Sequence, residues 1–142
     1  MLGLAAVAGA ILLVVAEFSA IYRIKAVTAV VDSVTGYERH GIALALLGVA
    51  ALPMAVGAWR RTSRPAMMAL AALGAIALLI AVVADVPDIH KTGVVGDQYE
   101  EAVAEPAAGI YLETLGGALL LAAGGGLMVL GGPPSARAFR RR

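Results

Sequence analysis

Four carboxylates and two imidazoles carry the chemistry open to this sequence: Glu17, Asp85, Asp88 and Glu113, with His40 and His90. Carboxylate oxygens and imidazole nitrogens hold protons or metal ions. Two carboxyls brought together away from water can share a proton or hold a cation between them. Glu17 and Glu113 are the most telling, because each interrupts a long apolar run. A charge at the centre of a bilayer costs ~2.5 to 3.5 kcal/mol, so each is expected to face protein, water or a partner rather than lipid. Glu17 sits five positions before Tyr22 and Glu113 six after Ala107, which puts both in the outer third of oppositely running helices.

Two readings of these glutamates are open. In one, the carboxyls share a proton or hold a cation with oxygens from Asp85 and Asp88. In the other, Glu17 pairs with Arg23 or Lys25, or bonds to Tyr22, Tyr111 or Thr114, and only fixes helix packing. His40 and His90 offer a weak metal site, since a structural zinc site needs four directed ligands and no known ligand spacing is present. The chain has no cysteine, which removes disulfides, thiolate metal sites and cysteine nucleophiles. No Ser/His/Asp constellation, HExxH motif or phosphate-cradling turn is found, so neither enzymatic activity nor a cofactor is expected.

The elements that position these residues follow from hydropathy. With 61% hydrophobic residues in 142 and a mean hydropathy of +0.87, the chain is more apolar than a water-soluble core requires. A helix needs ~20 apolar residues to cross the ~30 Å hydrocarbon layer. Four runs qualify: 2–22, 41–59, 65–84 and 107–130. The expected fold is therefore an all-α membrane protein, a single four-helix transmembrane domain over residues 1–142. The first run is expected to be a retained helix rather than a cleaved signal, because no basic residue precedes it.

Arginine placement gives the expected orientation. Arg60, Arg61 and Arg64 lie between the second and third runs, and Arg137, Arg140, Arg141 and Arg142 follow the fourth. The two opposite loops carry four basic and eight acidic side chains. The positive-inside rule puts the arginines, and so both termini, in the cytoplasm of a multi-pass cell-membrane protein. The tail 131–142 is then a basic cytoplasmic segment that anchors topology at anionic headgroups, and it makes no specific nucleic-acid module.

The two outer loops, 23–40 and 85–106, are too short for a soluble catalytic domain. The β-branched run from Ile24 to Val31 predicts one arm of a hairpin turning at Asp32-Ser33, in competition with an extension of the first helix. Pro87 should stop the third helix, and Asp97 to Glu105 reads as a short acidic helix ended by Pro106. Pro53 is expected to bend the second helix. Gly117, Gly124 and Gly131 recur at seven-residue spacing in the fourth run, a small-residue seam for packing within one chain or between copies.

Four spans with Glu17 in the first are similar, at a coarse level, to small multidrug-resistance exporters. That resemblance implies a proton-coupled glutamate, but such exporters have very short loops and a more central glutamate framed by aromatics. A claudin-like layout also has four spans and outer β structure, yet its outer-loop tryptophan and cysteine signature is missing here. Neither family is assigned. The leading expectation is a structural or accessory subunit that uses its outer loops and helix faces on a membrane-protein partner or a second copy. The alternative is a small proton- or cation-coupled transporter using Glu17 and Glu113.

Overall fold

The structure is a computed structural model and describes residues 1–26, 28–89, 91–93 and 102–130. Among the described residues the elements are, in order, α1 (Leu2–Glu17), β1 (Ala20–Ala26), β2 (Ala29–Thr35), α2 (Gly36–His40), α3 (Ala43–Arg61), α4 (Arg64–Ile80), a π-helical turn (Ala81–Asp85), β3 (Thr92–Gly93), β4 (Ala102–Pro106) and α5 (Ala108–Leu130). Three helical segments are long and apolar enough to cross a membrane: Ala43–Arg60, Arg64–Asp85 and Ala108–Leu130. The protein is thus a mostly helical candidate multi-pass membrane protein.

The first helix corrects the expected span over 2–22. It ends at Glu17 after 16 residues, about 24 Å at ~1.5 Å per residue and short of the ~30 Å layer by itself. The backbone turns as Ser19 Oγ donates to the Val15 carbonyl at 2.8 Å, and residues from Ala20 onward pair with β2 and from Tyr22 onward also with β4. Hydropathy does not distinguish apolar residues that continue a helix from apolar residues that enter a sheet.

The apolar helices form a ring in which α1 packs on α3 and α5, and α4 on α3 and α5. Ala6, Ala10, Leu13, Ala51, Ala55, Leu70, Ala77, Leu120 and Ala123 fill its interior. Small residues set the spacing. A Cβ on Gly48 would stand 2.6 Å from the Ala10 carbonyl oxygen, and one on Gly124 would stand 2.5 Å from the Ala71 amide nitrogen. Gly117 lies against Gly74 and Leu78, so Gly117 and Gly124 both meet α4 within the chain. Gly131 lies outside the described residues. The outside of the ring is apolar, with Leu4, Ile11, Leu46, Val49, Leu79 and Leu115 all exposed, as expected for a surface solvated by lipid tails. Pro53 lies inside α3 without ending it.

The fold is mostly helical, as expected, but its β structure goes beyond the single hairpin foreseen. One end of the bundle carries an antiparallel sheet in the order β2-β1-β4-β3, which draws strands from both inter-helix loops. The hairpin forms, but Ala26 pairs with Ala29 and Asp32 with Ile24. The reversal therefore falls between Ala26 and Ala29 instead of at Asp32-Ser33. The expected acidic helix is overturned over its described part: Ala102–Pro106 is β4, whose Glu105 pairs with Arg23 and Pro106 with Tyr22. Pairing with β1 supplies backbone partners to Ala102–Pro106, and it buries Ala102 and Ala104 with Ile24. Residues 94–101, the rest of that segment, lie outside the described residues.

Candidate functional site

Where the sheet meets the bundle, three carboxylates are wholly buried: Glu17, Asp85 and Glu113, each 0% exposed. Each comes from a helix end. Glu17 closes α1, Asp85 closes the π-helical turn after α4, and Glu113 lies near the start of α5. The π turn shifts the helical phase; Val86 N–H reaches the Ala81 carbonyl at 2.8 Å, five residues back. Such bulges re-aim side chains and recur at functional sites.

Short helix α2 delivers the basic partners. Thr35 and Glu38 form a capping box: Glu38 N–H donates to Thr35 Oγ1 at 3.3 Å, and Thr35 N–H donates to Glu38 Oε2 at 2.7 Å. The Thr35 backbone bond, with help from its hydroxyl, holds the Glu38 carboxyl below its ordinary range. At the other end of α2, Arg39 Nε donates to Asp85 Oδ1 at 3.0 Å, and His40 Nε2 lies 3.0 Å from the Asp85 carboxylate. Arg39 also donates to the Ala84 carbonyl and pairs with Asp88. Burial alone would lower the Arg39 pKa, but the Asp85 bond and the Asp88 charge outweigh it and raise it.

Glu17 takes a different partner from those expected. Its Oε2 accepts the Ala45 N–H of the first turn of α3 at 2.8 Å. This supplies from α1 a cap that Ile42, the N-cap residue before α3, does not provide. Glu17 Oε1 and both oxygens of Glu113 have no hydrogen-bond partner among the described residues. His40, Asp85 and Glu113 each offer a ligand atom, and those atoms all lie within 4.8 Å of one another. The charges of Asp85 and Glu17 both bear on Glu113. Ionised carboxylates are acceptors only, so two of them facing each other need a proton or a cation between them.

The structure therefore brings Glu17, Glu113 and Asp85 together and adds His40. Asp88 stands beside the cluster, tied to Arg39 and Lys91. The Lys91 bond, and then the Arg39 charge acting against burial, hold the Asp88 carboxyl below its ordinary range. His90 lies outside the described residues. Lys25, weighed as a partner of Glu17, pairs with Glu105 at 2.7 Å, and Thr114 Oγ1 bonds to the Ile110 carbonyl.

Arg60 and Arg64 are exposed at the opposite end of the bundle. Arg61 ends α3 there, and Arg137, Arg140, Arg141 and Arg142 lie outside the described residues. Arg39 is the residue that sequence reasoning missed. The Thr35-x-x-Glu38 spacing is a readable helix-start signal, and it could have placed Arg39 and His40 on a helix.

Comparison with protein-family models, curated proteins and solved structures finds no match to this chain. Its class rests on the fold and site: three candidate membrane spans, a shorter apolar helix and a sheet over a buried carboxylate cluster.

Proposed function

We propose that this chain is a small membrane protein that binds and releases a cation, as a proton- or cation-coupled transporter does, at Glu17, Asp85 and Glu113. The observation that carries the reading is the set of three oxygens on wholly buried Glu17 and Glu113 that find no hydrogen-bond donor among the described residues. Uncompensated buried charge costs several kcal/mol per ion, so a fold that keeps such groups gains when a cation joins them. Arginines at the opposite end support a cytoplasmic placement for that end and an outward-facing cluster.

The test is thermal stability of the purified protein in detergent across pH and across sodium, potassium, magnesium, calcium, manganese and zinc. A cation at one hundred times its dissociation constant stabilises by ~2.7 kcal/mol. At least one cation or pH step should stabilise the wild type and leave Glu17→Gln/Glu113→Gln unmoved. Identical responses from both proteins would end the reading.

A partner-binding accessory subunit is the second reading, favoured by β2. This strand lies at the sheet edge with Val30 and Val31 exposed, and an open edge is a template for strand addition. Its test is a stoichiometric partner retained through purification in mild detergent and lost on Val31→Lys.

A further inference from the structure

Within the cation-binding reading, on which this inference rests, we infer that the ion is a divalent transition metal of zinc-like character, held by His40, Asp85 and Glu113. Three observations carry it: mutual approach, partnerless oxygens and the balance of charge.

The first is geometric. The three ligand atoms come from α2, the π turn and α5, and all stand within 4.8 Å of one another. Nitrogen and oxygen donors at ~2.0 to 2.2 Å from one zinc ion lie about 3.3 to 3.6 Å apart in tetrahedral geometry. Side-chain rotations of about an ångström close the triangle. The second is that Glu113 is wholly buried with both oxygens partnerless, aimed at Asp85 and His40. Glu113 therefore needs either a proton shared with Asp85 or a cation, and the imidazole of His40 beside the pair favours the cation.

The third is charge. Asp85 pairs with Arg39, and Asp88 with Arg39 and Lys91, whereas Glu17 and Glu113 have no basic partner among the described residues. A divalent ion would displace any proton shared by Glu113 and Asp85 and cancel the two negative charges that three ionised carboxyls keep over Arg39. A monovalent ion reaches the same balance only where one carboxyl keeps its proton.

The donor set selects among divalent ions. Calcium and magnesium take oxygen ligands, whereas an imidazole beside carboxylates suits zinc and its neighbours. His40 Nε2, now 3.0 Å from the Asp85 carboxylate, is the atom that would turn to the metal, with the ring proton on Nδ1. Arg39 is a positioning residue: its bonds to Asp85 and to the Ala84 carbonyl hold the π turn and keep one Asp85 oxygen occupied. Three protein ligands leave the remaining positions to water, the open arrangement of an exchangeable ion rather than a closed structural site. His40 is the most exposed ligand, with a side chain 10% exposed, and marks the side from which an ion enters.

The test uses the purified full chain in detergent, stripped with a chelator and titrated with cobalt(II), then with competing zinc(II). Cobalt should bind at one per chain with visible d–d bands of a nitrogen–oxygen site, and zinc should displace it. His40→Gln and Glu113→Gln should each weaken binding by at least ~10- to 100-fold, the loss that follows removal of even an outer-shell partner. Glu105→Gln, on the salt bridge to Lys25, should bind as wild type does. Where Glu113→Gln does not fold, His40→Gln on the small helix α2 carries the test. The inference is overturned if the stripped wild type shows no cobalt bands and no zinc binding, or if His40→Gln binds as wild type does. Stabilisation by protons or alkali ions in the same preparation, lost in Glu17→Gln/Glu113→Gln, would then leave the broader cation reading standing. Absence of every cation response would remove both.

Discussion

Replacing Arg39 by methionine tests whether the cluster is held by charge or merely enclosed by packing. The change keeps most of the aliphatic stem and removes the guanidinium that bonds Asp85, Asp88 and the Ala84 carbonyl. A unit pair at the 3.0 Å Arg39–Asp85 separation is worth about 5 kcal/mol at an effective dielectric of ~20, before desolvation is counted. Removing one partner of a buried pair costs ~3 to 5 kcal/mol, because the other charge is stranded. Asp85 is fully buried, but the Arg39 side chain is 26% exposed, so solvent lowers the expectation to about 2 to 4 kcal/mol. Asp88 contributes little to this loss, since Lys91 still pairs with it.

The assay is equilibrium unfolding in mixed micelles on titration with a denaturing detergent. It can be followed by far-ultraviolet circular dichroism and by fluorescence of Trp59, the single tryptophan. Trp59 packs against Gly3 at the far end of the bundle, so its signal reports global rather than local unfolding. Asp85→Asn in the Arg39→Met background should recover at least ~1.5 kcal/mol relative to additivity, because the stranded charge is gone. A cost below ~1 kcal/mol for Arg39→Met, or strict additivity in the cycle, would refute the charge-clamp account and leave α2 held by packing alone.

Other consequences follow from the same geometry. Thr35→Ala removes the capping box that presents Arg39 and His40, and should cost ~1 kcal/mol while weakening the cation response measured by thermal shift. The Glu38 carboxyl is held below its ordinary range by Thr35, so this contribution is complete above that range and is lost as pH falls through the lowered value. Glu38→Gln should flatten that part of the acid unfolding curve. A Cβ on Gly36 would stand 2.9 Å from the Glu17 Cα and carbonyl oxygen, so Gly36→Ala should cost ~1 to 3 kcal/mol by overpacking and displace α2 from the cluster; unfolding in mixed micelles measures it. Gly124→Ala meets Ala71 and Met67 backbone at 2.5 and 2.6 Å and should destabilise the α4–α5 contact similarly without changing cation affinity. Lys25→Met breaks only the half-exposed pair with Glu105 and should move stability by less than ~1 kcal/mol.

Much of the helical part of the fold was legible because hydropathy is summed over many residues. The runs 41–59, 65–84 and 107–130 lie close to α3, α4 with its π turn, and α5. Burial of Glu17 and Glu113 was legible for a similar reason: a carboxylate inside an apolar run has few places to go. Less accessible was the end of α1, because Ile21 and Ile24 suit a helix in lipid as well as a strand under a sheet. The register of β1 with β4 joins residues about eighty apart, and local propensity carries no information on such a pairing. The acidic stretch before Pro106 has a helix-start spacing that pairing with β1 overrides over Ala102–Pro106.

The sequence by itself determined that the chain is apolar enough for lipid, that acid-free arginine segments alternate with acid-rich loops between its apolar runs, and that two glutamates must be sheltered. Those are one-dimensional quantities, set by composition and order. Tertiary structure alone decided which groups the sheltered carboxyls meet. A π turn re-aims Asp85, a five-residue capped helix carries Arg39 and His40 to it, and Glu17 caps the start of α3. Positions 17, 40, 85 and 113 are distant in the chain, and they converge because four helix ends share one side of the bundle beneath a sheet built from both loops.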